Sequence, residues 1–284
     1  VIASGHTESI DSSKYDVNEE NIMRKVISKD GTVIAFDQSG RGPAMILVGG
    51  AFTDRSQPTL TGLAEILAPQ FTVINYDRRG RGDSGDTMPY AVEREIEDID
   101  ALIKEAGGSA FVGGFSSGAA LTLEAAASGL AIKKLALYEP PFRTPGGSNQ
   151  VPQGFATHLS ELVSSGRLGD AAEYYMVQAA EVPAEEVAQM RHQPFWPKVE
   201  SVAHTLVYNT AVLGNDGLLR SEKLAAIAIP VLVIDGEASP EWMRSAARAV
   251  AEGLPHARRH TLEGQTHEVS PQALAPALTE FFKD

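Results

Sequence analysis

Near the middle of the chain an apolar strand runs into a helix with no loop between them. The stretch reads Phe111-Val112-Gly113-Gly114-Phe115-Ser116-Ser117-Gly118-Ala119-Ala120, and a helical pattern continues through Leu121, Leu123, Ala125 and Ala126. The junction is therefore Gly-x-Ser-x-Gly. A turn this sharp strains the residue at its tip, and Gly114 and Gly118 keep the neighbouring backbone from colliding there. A serine at the tip holds its hydroxyl clear of the chain, beside the N–H groups and positive dipole end of the helix that follows. Five such residues also arise by chance as a plain turn, so the strand before and the helix after carry the specificity. Ser116 is the candidate nucleophile. Ser117 is a weaker one, and its backbone N–H is better placed as a donor to an oxyanion.

Around this junction the chain alternates short apolar runs with longer helical patterns, which predicts a mainly parallel sheet. Eight strands are expected: Met23–Ser28, Thr32–Asp37, Ala44–Val48, Phe71–Tyr76, Ala110–Gly114, Lys134–Tyr138, Val231–Asp235 and Arg258–Leu262. The first two flank Lys29-Asp30-Gly31, a tight-turn signal, and should pair as an antiparallel hairpin. Ile46, Leu47 and Val48 form the unbroken apolar run of a strand buried on both faces. Before the fifth strand, Val92, Ile96, Ile99 and Ile103 recur at helical spacing, which puts Glu93, Arg94, Glu97 and Asp98 on the solvent face.

Between Phe142 and about Leu219 the alternation stops. Pro140, Pro141 and Thr144-Pro145-Gly146-Gly147 break the pattern at its start. Helical patterns follow at His158–Ser165 and Asp170–Ala180, with an aromatic group of Tyr174, Tyr175, Phe195, Trp196 and Tyr208. The expected organisation is a polar N-terminal extension over 1–22, a core from 23–141 and 220–284, and an inserted helical cap over 142–219.

Composition narrows the function classes. Asp plus Glu number 37 against 24 Lys plus Arg, giving a formal net charge of −13. Such a surface repels phosphate backbones and anionic headgroups, so neither nucleic acid nor a membrane is the expected partner. The chain has no cysteine, which removes disulfides, thiolate metal sites and a cysteine nucleophile together. It contains no apolar run of the roughly 18 residues that a membrane span needs. Residues 1–22 lack the apolar stretch of a signal peptide, and a cytoplasmic location is the expectation. The oligomeric state is not legible.

Further landmarks appear in a fixed order. They are Val48-Gly49-Gly50-Ala51 after the third strand, Asp77-Arg78-Arg79-Gly80-Arg81-Gly82-Asp83-Ser84-Gly85 after the fourth, the serine junction, and Gly264-Gln265-Thr266-His267 near the end. With these the chain resembles the α/β-hydrolase superfamily from about Met23 to the C-terminus. The resemblance implies the α/β-hydrolase fold: a mostly parallel eight-stranded sheet flanked by helices, with an inserted helical cap. It also implies His267, between the last strand and the helix over Pro271–Phe282, as the general base, while the other six histidines read as surface residues. The arginine-rich second landmark reads as a charged turn that shapes the fold, and no chemistry is assigned to it.

Two backbone donors are needed for an oxyanion hole. Ser117 supplies one, and Gly50 or Ala51 the other. Many relatives carry His-Gly where this chain has Gly49-Gly50, so the choice between the two stays open. The acid is the main departure. In most relatives it follows the seventh strand, where this chain reads Asp235-Gly236-Glu237-Ala238-Ser239-Pro240, with Ser239 at the usual aspartate position. Glu139, in Tyr138-Glu139-Pro140-Pro141 after the sixth strand, is the preferred alternative and is similar to the arrangement in the zearalenone-lactonase branch. Asp235 and Glu237 remain in play.

The expected activity is hydrolysis of a small to medium, fairly apolar carboxylic ester or lactone through an acyl-enzyme, with no metal or organic cofactor. Phe52, Phe142, Trp196 and Trp242 are candidates to line the pocket, and core packing is the competing reading for each. Three other functions compete: a receptor-like binding module, a tailoring enzyme on the same fold, and a cofactor-free haloperoxidase.

Overall fold

The structure, a computed structural model, describes residues 23–144 and 150–283. The proposed extension over 1–22 and most of the Pro-Gly-Gly breaker lie outside the described residues. The chain runs β1 (Arg24–Ile27), β2 (Val33–Ser39), β3 (Ala44–Val48), α1 (Pro58–Leu67), β4 (Thr72–Tyr76), α2 (Val92–Glu105), β5 (Ala110–Phe115), α3 (Ser117–Ala127) and β6 (Ile132–Tyr138). Five helices then intervene: α4 (Phe155–Ser164), α5 (Leu168–Gln178), α6 (Ala184–Met190), α7 (Trp196–Val202) and α8 (Leu206–Val212). It closes with α9 (Ser221–Ala225), β7 (Val231–Gly236), α10 (Glu241–Gly253), β8 (Ala257–Leu262) and α11 (Pro271–Lys283).

All eight strands join one sheet in the order β1-β2-β4-β3-β5-β6-β7-β8. The first two pairings, β1–β2 and β2–β4, are antiparallel, and the remaining five are parallel. This is the α/β-hydrolase arrangement, and the strands lie within a few residues of their predicted bounds.

Strict alternation divides each central strand between two cores. Ile46 and Val48, Val112, Leu135 and Leu137, and Val231 and Val233 join one cluster with Ile99, Leu102 and Ile103 of α2. Met45 and Leu47, Phe111, Ala136, and Leu232 and Ile234 join the other, under α1 and α11, with Leu63, Leu274 and Leu278. Both faces of the parallel strands are covered, which is why they read as unbroken apolar runs.

The helices between β6 and β7 have a third core of their own, made of Phe155, Leu159, Ala171, Tyr175, Trp196 and Leu206. Ala51 and Phe52, just past β3, pack against it. An isolated bridge, Arg143 to Leu218, ties the two ends of this insertion together.

One charged residue sits differently from the prediction. Asp98 does not face solvent: it is 1% exposed, and Glu95, one turn earlier, is buried beside it. The Asp77–Gly85 turn buries Arg78, Arg79 and Arg81 and leaves Gly82 and Asp83 exposed. The burial of the acids and of the first two arginines has one cause. Arg79 grips Asp98 through two hydrogen bonds of 2.8 Å, and Arg78 grips Glu95 at 2.6 and 2.7 Å. Each bidentate pair lets the other partner leave water. Periodicity identifies apolar faces but carries no information about which charges find partners.

Among the described residues no helix is long and apolar enough to cross a membrane.

Candidate active site

Four loops converge at the carboxyl ends of the parallel strands, where this topology opens a crevice. The residue at the tip of the β5–α3 junction, Ser116, has φ 54° and ψ −124°, a backbone state that a non-glycine residue adopts only under constraint. The constraint is visible on both sides. The Ser116 N–H donates to the Tyr138 carbonyl of β6 at 2.9 Å. Gly118 lies so close under the end of β3 that a Cβ there would meet the carbonyls of Val48 and Gly49. Of the five non-glycine residues with positive φ among those described, three stand in these loops: Phe52, Ser116 and Glu139.

On the β6–β8 side, Glu139 leaves the sheet with φ 45° and a fully buried carboxylate. Its N–H donates to Ile234 of β7 at 2.9 Å, which extends the ladder one step past the strand. One carboxylate oxygen accepts the Gly236 N–H at 2.9 Å. The other lies 2.7 Å from Nδ1 of His267. The glutamate thus reaches over the end of β7 to a histidine 128 residues later.

The loop carrying His267 is braced twice. The Tyr138 hydroxyl donates to the Thr266 carbonyl at 2.5 Å, and the Ala238 N–H donates to the Gln265 carbonyl at 2.9 Å. Burial, followed by the charges of Glu139 and Asp235, pushes the Tyr138 phenol far above its ordinary range and keeps it a donor. The imidazole itself is partly open, at 36% exposure.

The other two carboxylates considered for the acid go elsewhere. Asp235 accepts from Arg259 at 2.7 Å and from Thr261 at 3.2 Å, both on β8. Glu237 is exposed and accepts the Gly264 N–H at 3.1 Å. Ser239, at the position expected for an aspartate, is buried beside Gly236 with no partner for its hydroxyl among the described residues.

On the β3–β4 side the two glycines after β3 sit against the serine. A Cβ on Gly50 would lie 2.9 Å from the Ser116 Cβ. Among the described residues, no acceptor takes a hydrogen bond from the N–H of Gly50, Ala51 or Ser117. Behind this loop is a polar network. Arg78 reaches the Gly49 carbonyl at 3.3 Å, the Ser117 hydroxyl at 3.4 Å and Asn209 Oδ1 at 3.0 Å. Arg81 donates to the Gly50 carbonyl, to Thr205 Oγ1 at 3.1 Å and to Asn209 Oδ1 at 3.1 Å. The Ser117 hydroxyl also donates to Asn209 Oδ1, at 3.0 Å.

A single amide oxygen on α8 therefore collects three donors from the core. Asn209 and Thr205 carry no sequence signal, being isolated polar residues in a helical insertion. Arg78 and Arg81 stand in a recognised landmark, and only their burial reveals what they touch.

The four aromatic pocket candidates separate. Phe52 packs edge-on against Tyr175 of α5, with ring centres 5.8 Å apart, and so joins the loop after β3 to the insertion. Trp196 is buried in the insertion's core, where its indole N–H donates to Glu200 at 2.9 Å. Phe142 packs in the main core with Leu123, Val212 and Leu224, and these residues also line a cavity beside α9. Trp242, in the first turn of α10, is half-buried, and its indole N–H has no partner among the described residues. No group of three or more potential metal ligands occurs among the described residues.

This geometry can be set beside known proteins. Residues 45–278 match the family described as "Alpha/beta hydrolase family". The crystal structure of an alpha/beta hydrolase from Sphaerobacter thermophilus is 54% identical, with a TM-score of 0.85 over 91% of this chain and all of that one. An esterase from Rhodococcus sp. shares the fold at 19% identity, with a TM-score of 0.66 over 92% of this chain and 98% of that one. A stretch of 91 residues is 36% identical to the probable oxidoreductase EphD of Mycobacterium tuberculosis. That match covers 30% of this chain and only 15% of the mycobacterial protein, so it speaks for a shared segment. With the family match running from β3 into α11, the chain belongs to the alpha/beta hydrolase family.

Proposed function

We propose that the protein is a serine hydrolase that cleaves a small to medium, apolar carboxylic ester or lactone through an acyl-enzyme. The observation that carries this reading is the 2.7 Å pairing of His267 Nδ1 with the buried Glu139 carboxylate, one residue past the Tyr138 carbonyl that holds the N–H of the strained Ser116. With Nδ1–H donated to Glu139, the other ring nitrogen is left to accept the serine proton.

The Ser116 Oγ attacks the substrate carbonyl, His267 takes its proton, and the carbonyl π electrons move onto oxygen. Collapse of that tetrahedral intermediate breaks the ester C–O bond, and His267 returns the proton to the departing alkoxide. Water then repeats the cycle on the acyl-enzyme and releases the acid. The N–H groups of Ser117 and of Gly50 or Ala51 hold the oxyanion, in keeping with their lack of any other acceptor. The helices between β6 and β7 serve as the cap, with Phe52 and Tyr175 forming an apolar wall.

The test is hydrolysis of p-nitrophenyl esters and aromatic lactones by the native protein, Ser116→Ala and Glu139→Gln, with fluorophosphonate labelling in parallel. Turnover and labelling that vanish in Ser116→Ala support the reading. A native protein that neither turns over the panel nor takes the label is instead a binding module.

A further inference from the structure

We propose that Arg81 is a positioning residue of the oxyanion hole, gripping the Gly50 carbonyl so that the Ala51 N–H is turned toward Ser116. This rests on the serine-hydrolase reading above and decides a point that reading leaves open, namely which of two N–H groups is the second donor.

The first support is the geometry of one peptide unit. In a trans peptide the carbonyl and the following N–H point in opposite directions. The Gly50 carbonyl accepts from Arg81 Nη1 and from Thr53 Oγ1, the latter at 3.0 Å, on the side of the buried arginine turn. The Ala51 N–H is therefore directed away from that turn, and no described residue accepts it. The same loop lies against the serine, where a Cβ on Gly50 would be 3.5 Å from Ser116 Oγ.

Charge supplies a second, separate support. Arg78 and Arg79 each hold a carboxylate in a bidentate pair. Arg81, 2% exposed, hydrogen-bonds to no carboxylate among the described residues: its partners there are the Gly50 and Thr53 carbonyls, the Thr205 hydroxyl and the Asn209 amide oxygen, all neutral, and the Glu95 charge reaches it only at longer range. Burial, and then the adjacent Arg78 charge, push its pKa down to about 9, as they should for a cation short of negative charge. A cation buried without a counter-ion costs stability. An oxyanion forming across the Ala51 peptide supplies the missing charge only in the transition state, which is where added binding accelerates a reaction.

The experiment measures kcat and KM for p-nitrophenyl acetate, and the inhibition constant of an aryl trifluoromethyl ketone, on native protein, Arg81→Met, Arg81→Lys and Thr53→Val. The ketone forms a hemiketal whose oxyanion occupies the hole. Removing one oxyanion donor outright typically costs 100- to 1,000-fold, so misaiming it in Arg81→Met should cost kcat about 30- to 100-fold with KM within about twofold. Arg81→Lys, which keeps the charge but loses the fork, should retain more activity than Arg81→Met, and Thr53→Val should lose about three- to fivefold. Inhibitor affinity should fall in step with kcat.

A folded Arg81→Met with kcat within threefold of native, or with losses in KM and none in inhibitor affinity, overturns the proposal alone. If circular dichroism shows Arg81→Met unfolded, Arg81→Lys and Thr53→Val decide by the same kcat-against-KM split. A native protein with no turnover and no hemiketal overturns the serine-hydrolase reading and this proposal with it.

Discussion

The two flanks of Ser116 handle buried charge in different ways. Toward β7 and β8, one glutamate sits inside the protein with three contacts: the Gly236 N–H, its own N–H on Ile234, and the imidazole of His267. Toward β4, Arg78 and Arg81 share an asparagine from a distant helix, Arg78 also holds Glu95, and Arg79 holds Asp98 in a separate pair. Both flanks join residues more than a hundred positions apart. The first is anchored in the sheet ladder, so its geometry follows once the strand order is set, whereas the second depends on α8, a helix of the insertion outside the sheet. Removing a group from the first flank should therefore damage chemistry more than folding, and removing Arg78 or Asn209 from the second the reverse.

The largest expected effect is on the first flank. On the proposed mechanism, Glu139→Gln should lower kcat by roughly 1,000- to 10,000-fold, by analogy with neutralising the acid of known serine triads, with a melting temperature near native. A melting temperature lowered by many degrees would erase the contrast.

Next comes Arg78→Met, which strands the buried Glu95. Breaking a buried pair from one side costs about 3–5 kcal/mol, and at roughly 2–4 °C per kcal/mol thermal unfolding should register it plainly.

Asn209→Leu leaves the Arg78, Arg81 and Ser117 donors without a common acceptor and should cost about 2–3 kcal/mol in urea unfolding. A variant as stable as native would mean that the insertion contributes little to the core.

The stability supplied by Glu95 should also depend on pH. Burial raises its pKa, but the Arg78 charge and hydrogen bonds outweigh this and hold it below the ordinary carboxylate value. A carboxylate with a depressed folded pKa binds its proton less readily folded than unfolded. Its contribution is full above the unfolded pKa and lost as pH falls through the folded one. The stability gap between native and Glu95→Gln should narrow as the pH drops below about 4. A constant gap would place the worth of Glu95 in packing.

The smallest effect belongs to Asp235→Asn. Its partners lie on β8, so esterase activity should stay within about threefold of native, the range of a change that touches neither substrate nor base.

Sequence legibility follows the same division. Strand runs such as Ile46-Leu47-Val48 and the Gly-x-Ser-x-Gly junction are local patterns, set by side-chain period and by backbone that tolerates no Cβ. Glu139 stands out in the sequence only through its similarity to the zearalenone-lactonase branch, with Asp235 and Glu237 left as alternatives. Asp98 was misplaced on the solvent face because helical period ranks positions by hydrophobicity and cannot see Arg79 waiting inside. Asn209 was invisible for a stronger reason. Its role exists only after β3, β4, α3 and α8 have been brought to one point, and nothing in its neighbours along the chain marks it.

Asn209 also bears on how such proteins diversify. If a covering segment met its core only through interchangeable apolar contacts, lineages could trade it whole and alter substrate preference in one step. Here the α8 amide terminates hydrogen bonds from the serine turn and from both arginines. A transplanted segment lacking that amide would leave three donors stranded beside the serine turn. The insertion and the arginine turn are thus expected to be inherited as a unit, and a chimera that respects only the apparent domain boundary would cut through the middle of one structure.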